Sequence, residues 1–144
     1  MSTLSRAIEI AVAAHAGQID KAGAPYILHP LRVMLSLDNE PERIVAVLHD
    51  VIEDCPGWTA DRLRAEGFSE QVLTALAHVT KLSEDEDYGA FIVRAAQDPI
   101  ARQVKRADLL DNLDVRRLSS VSEKDAVRLT KYLSALAQLD ASDP

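Results

Sequence analysis

The stretch from Arg43 to Asp54 constrains this chain more than any other. Ile44, Val45, Ala46, Val47, Leu48, Val51 and Ile52 make it apolar almost all the way round at helical period, and a helix without a polar face is stable only when buried. Into that run are set His49, Asp50, Glu53 and Asp54, whose i, i+1, i+4, i+5 spacing gathers them into one narrow strip. Taking imidazoles and carboxylates out of water is costly unless something compensates them, and no basic residue follows Arg43 within the segment. A metal cation is the simplest partner. The competing reading, a solvated strip of surface charge, is opposed by the apolar residues on either side.

Helical spacing recurs along the rest of the chain and no segment alternates apolar and polar residues, so the spacing predicts an all-α fold of about eight helices. Leu4, Ile8, Ala11 and His15 share the face of a first helix stopped near Gly17, and Gln18 to Pro25 reads as a loop. Pro30 opens a second, short helix reaching Leu37, and Asp38-Asn39-Glu40 reads as a turn. A third runs from about Pro41 to Asp54 and is closed by Pro56-Gly57. Thr59 and Ser69 are N-caps for two more, separated at Gly67. After an acidic loop at Ser83 to Asp87, a sixth helix covers Tyr88 to Gln97 and a seventh runs from Pro99 to about Leu118. Ser122 and Asp125 form a capping box for the last, with Ala126, Leu129, Leu133 and Leu136 as its apolar stripe.

With 144 residues and no repeats or interdomain linker, the sequence reads as a single domain over 1–144. No apolar run approaches the roughly 20 residues that span a bilayer. The N-terminus lacks a secretory signal, which points to the cytoplasm, and Cys55, the sole cysteine, reads as a packing residue. A net charge of −7 speaks against a nucleic-acid polymer as partner. It leaves room for a small phosphorylated ligand, because a metal and a few lysines reverse the field locally. Oligomeric state stays open.

Two further metal ligands are sought in the rest of the chain, and His29 and Asp108 are the best candidates. His29 stands at a loop-to-helix junction before Pro30. Asp108 shares a polar helix face with Lys105 and Asn112 at i−3 and i+4. Two imidazoles and two carboxylates leave positions open on an octahedral ion, which suits Mn²⁺ or Fe²⁺ better than structural zinc. His15 reads as a core or supporting histidine and His78 as a helix-end residue. Lys81 and Lys105 read as surface lysines on burial statistics, and Arg94 and Arg102 carry no assignment.

The ordered pieces His15-Ala-Gly-Gln18, Lys21, Gly23, Pro25-Tyr26, His29-Pro30, His49-Asp50-Val-Ile-Glu53-Asp54, Val79-Thr80-Lys81-Leu82 and Lys105-Arg-Ala-Asp108-Leu-Leu-Asp-Asn112 resemble the HD superfamily. Within it, they are similar to the hydrolase domain of RelA/SpoT-type alarmone enzymes and the stand-alone small alarmone hydrolases. The resemblance implies an HD-type helical bundle with the metal in a central cleft, Mn²⁺ held by His29, His49, Asp50 and Asp108, and release of the 3′-pyrophosphate of (p)ppGpp-like nucleotides. It implies Glu53 and Asp54 as water-activating carboxylates, Lys21 and Lys105 on phosphate, Tyr26 lining the pocket and Asn112 on the ribose or its phosphate. Where the family often carries an arginine that stacks on guanine, this chain has Asp20, which cannot stack that way. The base is thereby left open between guanosine, adenosine and another phosphorylated nucleotide. A nucleotide sensor without turnover and a nucleotidase of another HD branch are the other readings.

Overall fold

A computed structural model of the chain describes residues 2–141, so the ends of the 1–144 range lie outside the described residues. The helices are α1 (Leu4–Ala14), α2 (Leu28–Leu35), α3 (Glu40–Leu48), α4 (Val51–Asp54), α5 (Ala60–Ala65), α6 (Glu70–His78), α7 (Tyr88–Ala96), α8 (Pro99–Asn112) and α9 (Glu123–Ala141). Among the described residues there is no strand, only one isolated bridge between Ile19 and Pro25, and no helix long and apolar enough to cross a membrane.

Local chemistry sets most of the helix starts. The side chains of Thr3, Asn39, Thr59, Ser69, Asp87 and Asp98 each accept a backbone N–H from the first turn they precede, satisfying one of the donors a helix leaves orphaned. Ser122 and Asp125 bond reciprocally, N–H to carboxylate at 3.0 Å and N–H to hydroxyl at 3.1 Å. Gly17 stops α1 at φ 83°, a left-handed conformation open to glycine at little cost.

Boundaries differ from those expected in three helices. α2 begins at Leu28, before Pro30, and ends at Leu35 rather than Leu37, which puts His29 inside its first turn. The 41–54 segment is broken at the His-Asp doublet into α3 and α4, which turns about eight helices into nine α-helical segments among the described residues. The His49 ring occupies the Ala46 carbonyl through Nδ1, the acceptor to which the Asp50 N–H would otherwise bond in a continuous helix. α8 stops at Asn112 rather than near Leu118. Asp114 caps a fresh 3₁₀ turn over Val115–Arg117 by accepting from the Arg116 N–H at 3.1 Å.

α3 lies at the centre. Ile44 to Leu48 are all buried, and their cluster takes in Ile10 of α1, Val33 of α2, Leu63 of α5, Leu76 of α6 and Val104 of α8. Burying one such side chain contributes about 1.5–3 kcal/mol. Cys55, 4% exposed, belongs to this core. A second, much smaller cluster of Ile92, Leu109, Ala135 and Leu139 attaches α7 and α9 to α8.

Candidate metal centre and its cavity

Three elements bring four ionisable side chains to one point. His29 comes from the first turn of α2, His49 and Asp50 from the α3–α4 joint, and Asp108 from the C-terminal half of α8. One ligand atom each from His29, His49 and Asp50 lies within 4.8 Å of the other two, the spacing of a shared cation site. Asp108 Oδ1 stands 2.8 Å from His29 Nε2 and 3.3 Å from His49 Nε2. Asp50 Oδ2 is 3.2 Å from His49 Nε2 and 3.9 Å from His29 Nε2. The helix break serves this arrangement, since it lets two adjacent residues turn toward the same point.

The far side of each imidazole is held as well. His29 Nδ1 lies 2.6 Å from Asp111 Oδ2, and His49 Nδ1 meets the Ala46 carbonyl. Both acceptors require a proton on Nδ1, which directs both Nε2 atoms at the carboxylates of Asp50 and Asp108. Two nitrogen and two oxygen acceptors face one another, so charge balance there calls for a cation, and the donor set fits a divalent transition metal. Without one, protons do the work. For His29, burial disfavours the imidazolium but hydrogen bonds to Asp108 and Asp111 outweigh it and raise the pKa to about 9. For His49, burial is outweighed by the charge of Asp50 and the bond to Asp108, giving about 10. Asp108, despite burial, is held well below the usual carboxylate range by the Lys105 ammonium and the two histidines.

The remaining partners close the shell. The Tyr26 hydroxyl donates to Asp50 Oδ2; burial and that carboxylate push its pKa above the phenol range. Lys105 Nζ donates to Asp108 Oδ2 at 2.9 Å, and Asn112 Nδ2 reaches Asp108 Oδ1 at 3.4 Å. Burial lowers the Lys105 pKa, but Asp108 more than offsets this and keeps it charged.

A cavity of about 560 Å³ opens above this cluster, within the range of small-molecule sites. Lys21, Tyr26, Lys105 and Asn112 all line it, as do His29, His49, Asp50, Asp108 and Glu53. Glu53 Oε1 accepts the Lys81 backbone N–H, and burial raises its pKa against the pull of that bond. Asp54 is exposed and lies outside the cavity lining; burial of its carboxyl and the nearby Asp50 raise its pKa, and its carbonyl accepts from Gln18 at 3.4 Å. Asp20 turns its carboxylate inward to its own loop, where Oδ1 accepts the N–H groups of Ala22 and Ala24, each at 2.9 Å.

The opposite wall adds residues to which the sequence analysis gives no role. Arg128, Lys131 and Tyr132 of α9 line the cavity together with Lys21 and Lys81. Lys131 Nζ sits 4.3 Å from the centroid of the Tyr88 ring. Its pKa is lowered by burial and by Lys81, Lys105 and Arg128, and that of Lys21 by burial, Arg128 and Lys124. The i, i+3, i+4 spacing of 128, 131 and 132 places them on one helix face, a signal the sequence did carry. His15 is buried behind Tyr26, its ring 5.0 Å away and its Nδ1 2.8 Å from Gln18 Oε1. His78 caps the end of its helix by bonding Thr74 O at 2.9 Å. Arg94 is structural, joining the Thr80 carbonyl and the Glu86 carboxylate at 2.7 and 3.0 Å.

Fold and site together define a class, an all-helical domain that gathers histidines and aspartates from three elements at the floor of a cavity. The profile described as "HD domain" matches residues 7–123, and the chain belongs to that family. It is 34% identical to a probable GTP pyrophosphokinase of Mycobacterium leprae, over 96% of this chain and 19% of that protein. It is 37% identical to a guanosine-3′,5′-bis(diphosphate) 3′-pyrophosphohydrolase of Aquifex aeolicus, over 76% of this chain and 17% of that protein. A bifunctional (p)ppGpp synthase/hydrolase RelA of Mycobacterium tuberculosis is 36% identical over 96% of this chain and 20% of its own length. The chain thus spans about a fifth of the length of these curated relatives. Among solved structures, a metazoan ortholog of SpoT, described as hydrolysing ppGpp, superposes with a TM-score of 0.78 at 21% identity, covering 96% of this chain and 85% of that one, which shows the shared fold.

Proposed function

We propose that this chain is a single-domain, cytoplasmic, metal-dependent phosphohydrolase that releases the 3′-pyrophosphate of a (p)ppGpp-like nucleotide. The observation that carries the reading is the placement of His29, His49, Asp50 and Asp108 at the floor of a cavity walled by Lys21, Lys81 and Lys131. A metal end and a lysine wall suit a ligand with phosphates at both ends better than a monophosphate. The names of the Aquifex and Mycobacterium tuberculosis relatives support the same substrate.

Mn²⁺ held by His29, His49, Asp50 and Asp108 would supply Lewis acidity to a phosphate oxygen and to the attacking water. The chain's own groups do the rest. Lys105 and Asn112 orient Asp108, and Tyr26 orients Asp50. Lys21, Lys81, Arg128 and Lys131 bind phosphate oxygens, and Asn112 also faces the ribose. Glu53, its pKa raised by burial and its carboxylate fixed by the Lys81 N–H, takes the proton of the water. The water oxygen bonds to phosphorus, the bond from phosphorus to the 3′-oxygen breaks, and that oxygen takes a proton from solvent as it leaves while Glu53 returns its own to solvent. Asp54, one residue on, contributes negative charge that keeps Glu53 basic. Asp20, committed to its own loop, leaves the base free of a stacking arginine, so guanosine and adenosine substrates are both to be offered.

The test is incubation of the purified chain with Mn²⁺ and guanosine or adenosine 3′-pyrophosphate nucleotides, resolving pyrophosphate from phosphate, with Asp50→Ala as control. Pyrophosphate released by the wild type and not by the control is expected. Binding of either nucleotide without turnover would replace this reading by the sensor, and orthophosphate as the product would replace it by a nucleotidase.

A further inference from the structure

Among the carboxylates bonded directly to the cluster histidines, Asp111 is the one the proposed mechanism does not use. It lies one turn beyond Asp108 on α8, and this i, i+3 spacing lets a single helix grip both nitrogens of one imidazole. Asp108 Oδ1 is 2.8 Å from His29 Nε2 and Asp111 Oδ2 is 2.6 Å from His29 Nδ1. The carboxylate is itself over-determined. Arg32 donates Nε to Asp111 Oδ1 at 2.8 Å and a terminal nitrogen to Oδ2 at 3.1 Å, and Arg117 stands 3.6 Å from Oδ1 while donating to the Asp111 carbonyl at 3.1 Å. Two arginines converge on an aspartate that is largely shielded from solvent, its side chain 11% exposed, and already bonded to a buried histidine.

Resting on the metal reading above, we infer that Asp111 is the positioning residue of the centre, fixing the tautomer and ring plane of His29 so that Nε2 presents its lone pair to the metal. A carboxylate on the far nitrogen holds the proton at Nδ1, raises the donor strength of Nε2 and removes the ring rotation a lone histidine would have to give up on binding. Arg32, three residues after His29 on α2, ties the helix that carries the ligand to the helix that orients it. Arg117 brings in the 3₁₀ turn, so the segment after α8 is fastened to the same carboxylate. His49 obtains the equivalent constraint from the backbone carbonyl of Ala46, and Asp111 supplies from a side chain what His29, at a helix start, cannot draw from the preceding turn.

The experiment is calorimetric titration of the full metal-free chain with Mn²⁺, comparing wild type, Asp111→Asn and Arg32→Gln, with far-UV circular dichroism and thermal unfolding as checks on folding. Asp111→Asn keeps shape and loses charge, and its Mn²⁺ Kd is expected to rise about tenfold or more. Arg32→Gln, which leaves the Asp111–His29 bond in place and frees the carboxylate to swing, is expected to weaken Mn²⁺ binding about threefold by the same positioning argument. Unchanged Mn²⁺ affinity in both folded variants would overturn the role of Asp111 while leaving the metal centre standing. Failure of the wild type to take up Mn²⁺ at all would overturn the metal reading and this assignment with it. Should Asp111→Asn fail to fold, Arg32→Gln decides alone.

Discussion

The floor of the cavity and its α9 wall are built in opposite ways. The floor hangs on α3, whose residues 44–48 are buried without exception and tie into helices α1, α2, α6 and α8. α9 has nineteen residues but buries only Ala135 and Leu139, in a cluster of four. The floor carries charges paired to within hydrogen-bond distance. The wall carries Lys131, which faces other cations across the cavity and rests on the Tyr88 ring. Precision is placed where a rigid core can hold it, and unbalanced charge where the ligand can balance it. In a chain of net charge −7, gathering Lys21, Lys81, Lys105 and Lys131 around one cavity opposes folding, since like charges drawn together repel.

The contrast can be broken in four places. The largest effect is expected at the floor, where His49→Ala should abolish both Mn²⁺ uptake and turnover, measured by metal analysis and pyrophosphate release; retention of either would mean the cluster is not the centre. Next come paired truncations of fully buried leucines. Leu48→Ala should cost about 3–5 kcal/mol and Leu139→Ala about 2–3 kcal/mol in urea unfolding, because the small α9 cluster relaxes more readily around a cavity. Equal costs would erase the distinction between core and wall. Third, Lys131→Ala should raise KM about tenfold while leaving Mn²⁺ affinity untouched, as loss of one charge-assisted phosphate contact requires. A changed metal affinity would join the wall to the floor.

The smallest effect is one of pH. In the metal-free chain, His29 and His49 have folded pKa values raised to about 9 and 10. Their stabilising contribution is complete below the unfolded histidine value of about 6.5 and is lost as pH rises through about 9 to 10. Thermal unfolding of the apo protein should therefore move to lower temperature between neutral pH and pH ~10. Mn²⁺-loaded protein should resist that decline, since the metal takes the place of the protons and binds better as they leave. Parallel curves with and without Mn²⁺ would show that the histidines do not bind it.

Much of the floor was legible because its signal is local. His49, Asp50 and Glu53 stand out inside an apolar helical run and all line the cavity, whereas Asp54, which the spacing groups with them as buried, is exposed and outside it; His29 and Asp108 are the candidates that the junction and helix-face arguments offer. The break at His49-Asp50 was hidden, because it depends on an imidazole competing for a carbonyl within its own turn. On α9 the expected stripe named Leu133, which is 57% exposed, and omitted Leu139, which is 1% exposed. The helix docks along Tyr132, Ala135, Leu136 and Leu139, a line only one residue off the expected one but set by what α7 and α8 offer. The meaning of Asp111 comes from partners on other helices, His29 and Arg32 of α2, which no spacing along the chain reveals; for Lys131 the shared face with Arg128 and Tyr132 is visible in the spacing, but not the cavity it faces.

The most direct test of the account is product analysis of the Mn²⁺-loaded chain mixed with guanosine 3′,5′-bis(diphosphate), side by side with Glu53→Gln. The account predicts pyrophosphate and nucleoside 5′-diphosphate in equal amounts from the wild type, and from the variant normal Mn²⁺ binding with turnover reduced by about 10²–10⁴-fold. Undiminished pyrophosphate release by Glu53→Gln, or orthophosphate in place of pyrophosphate from the wild type, would contradict it.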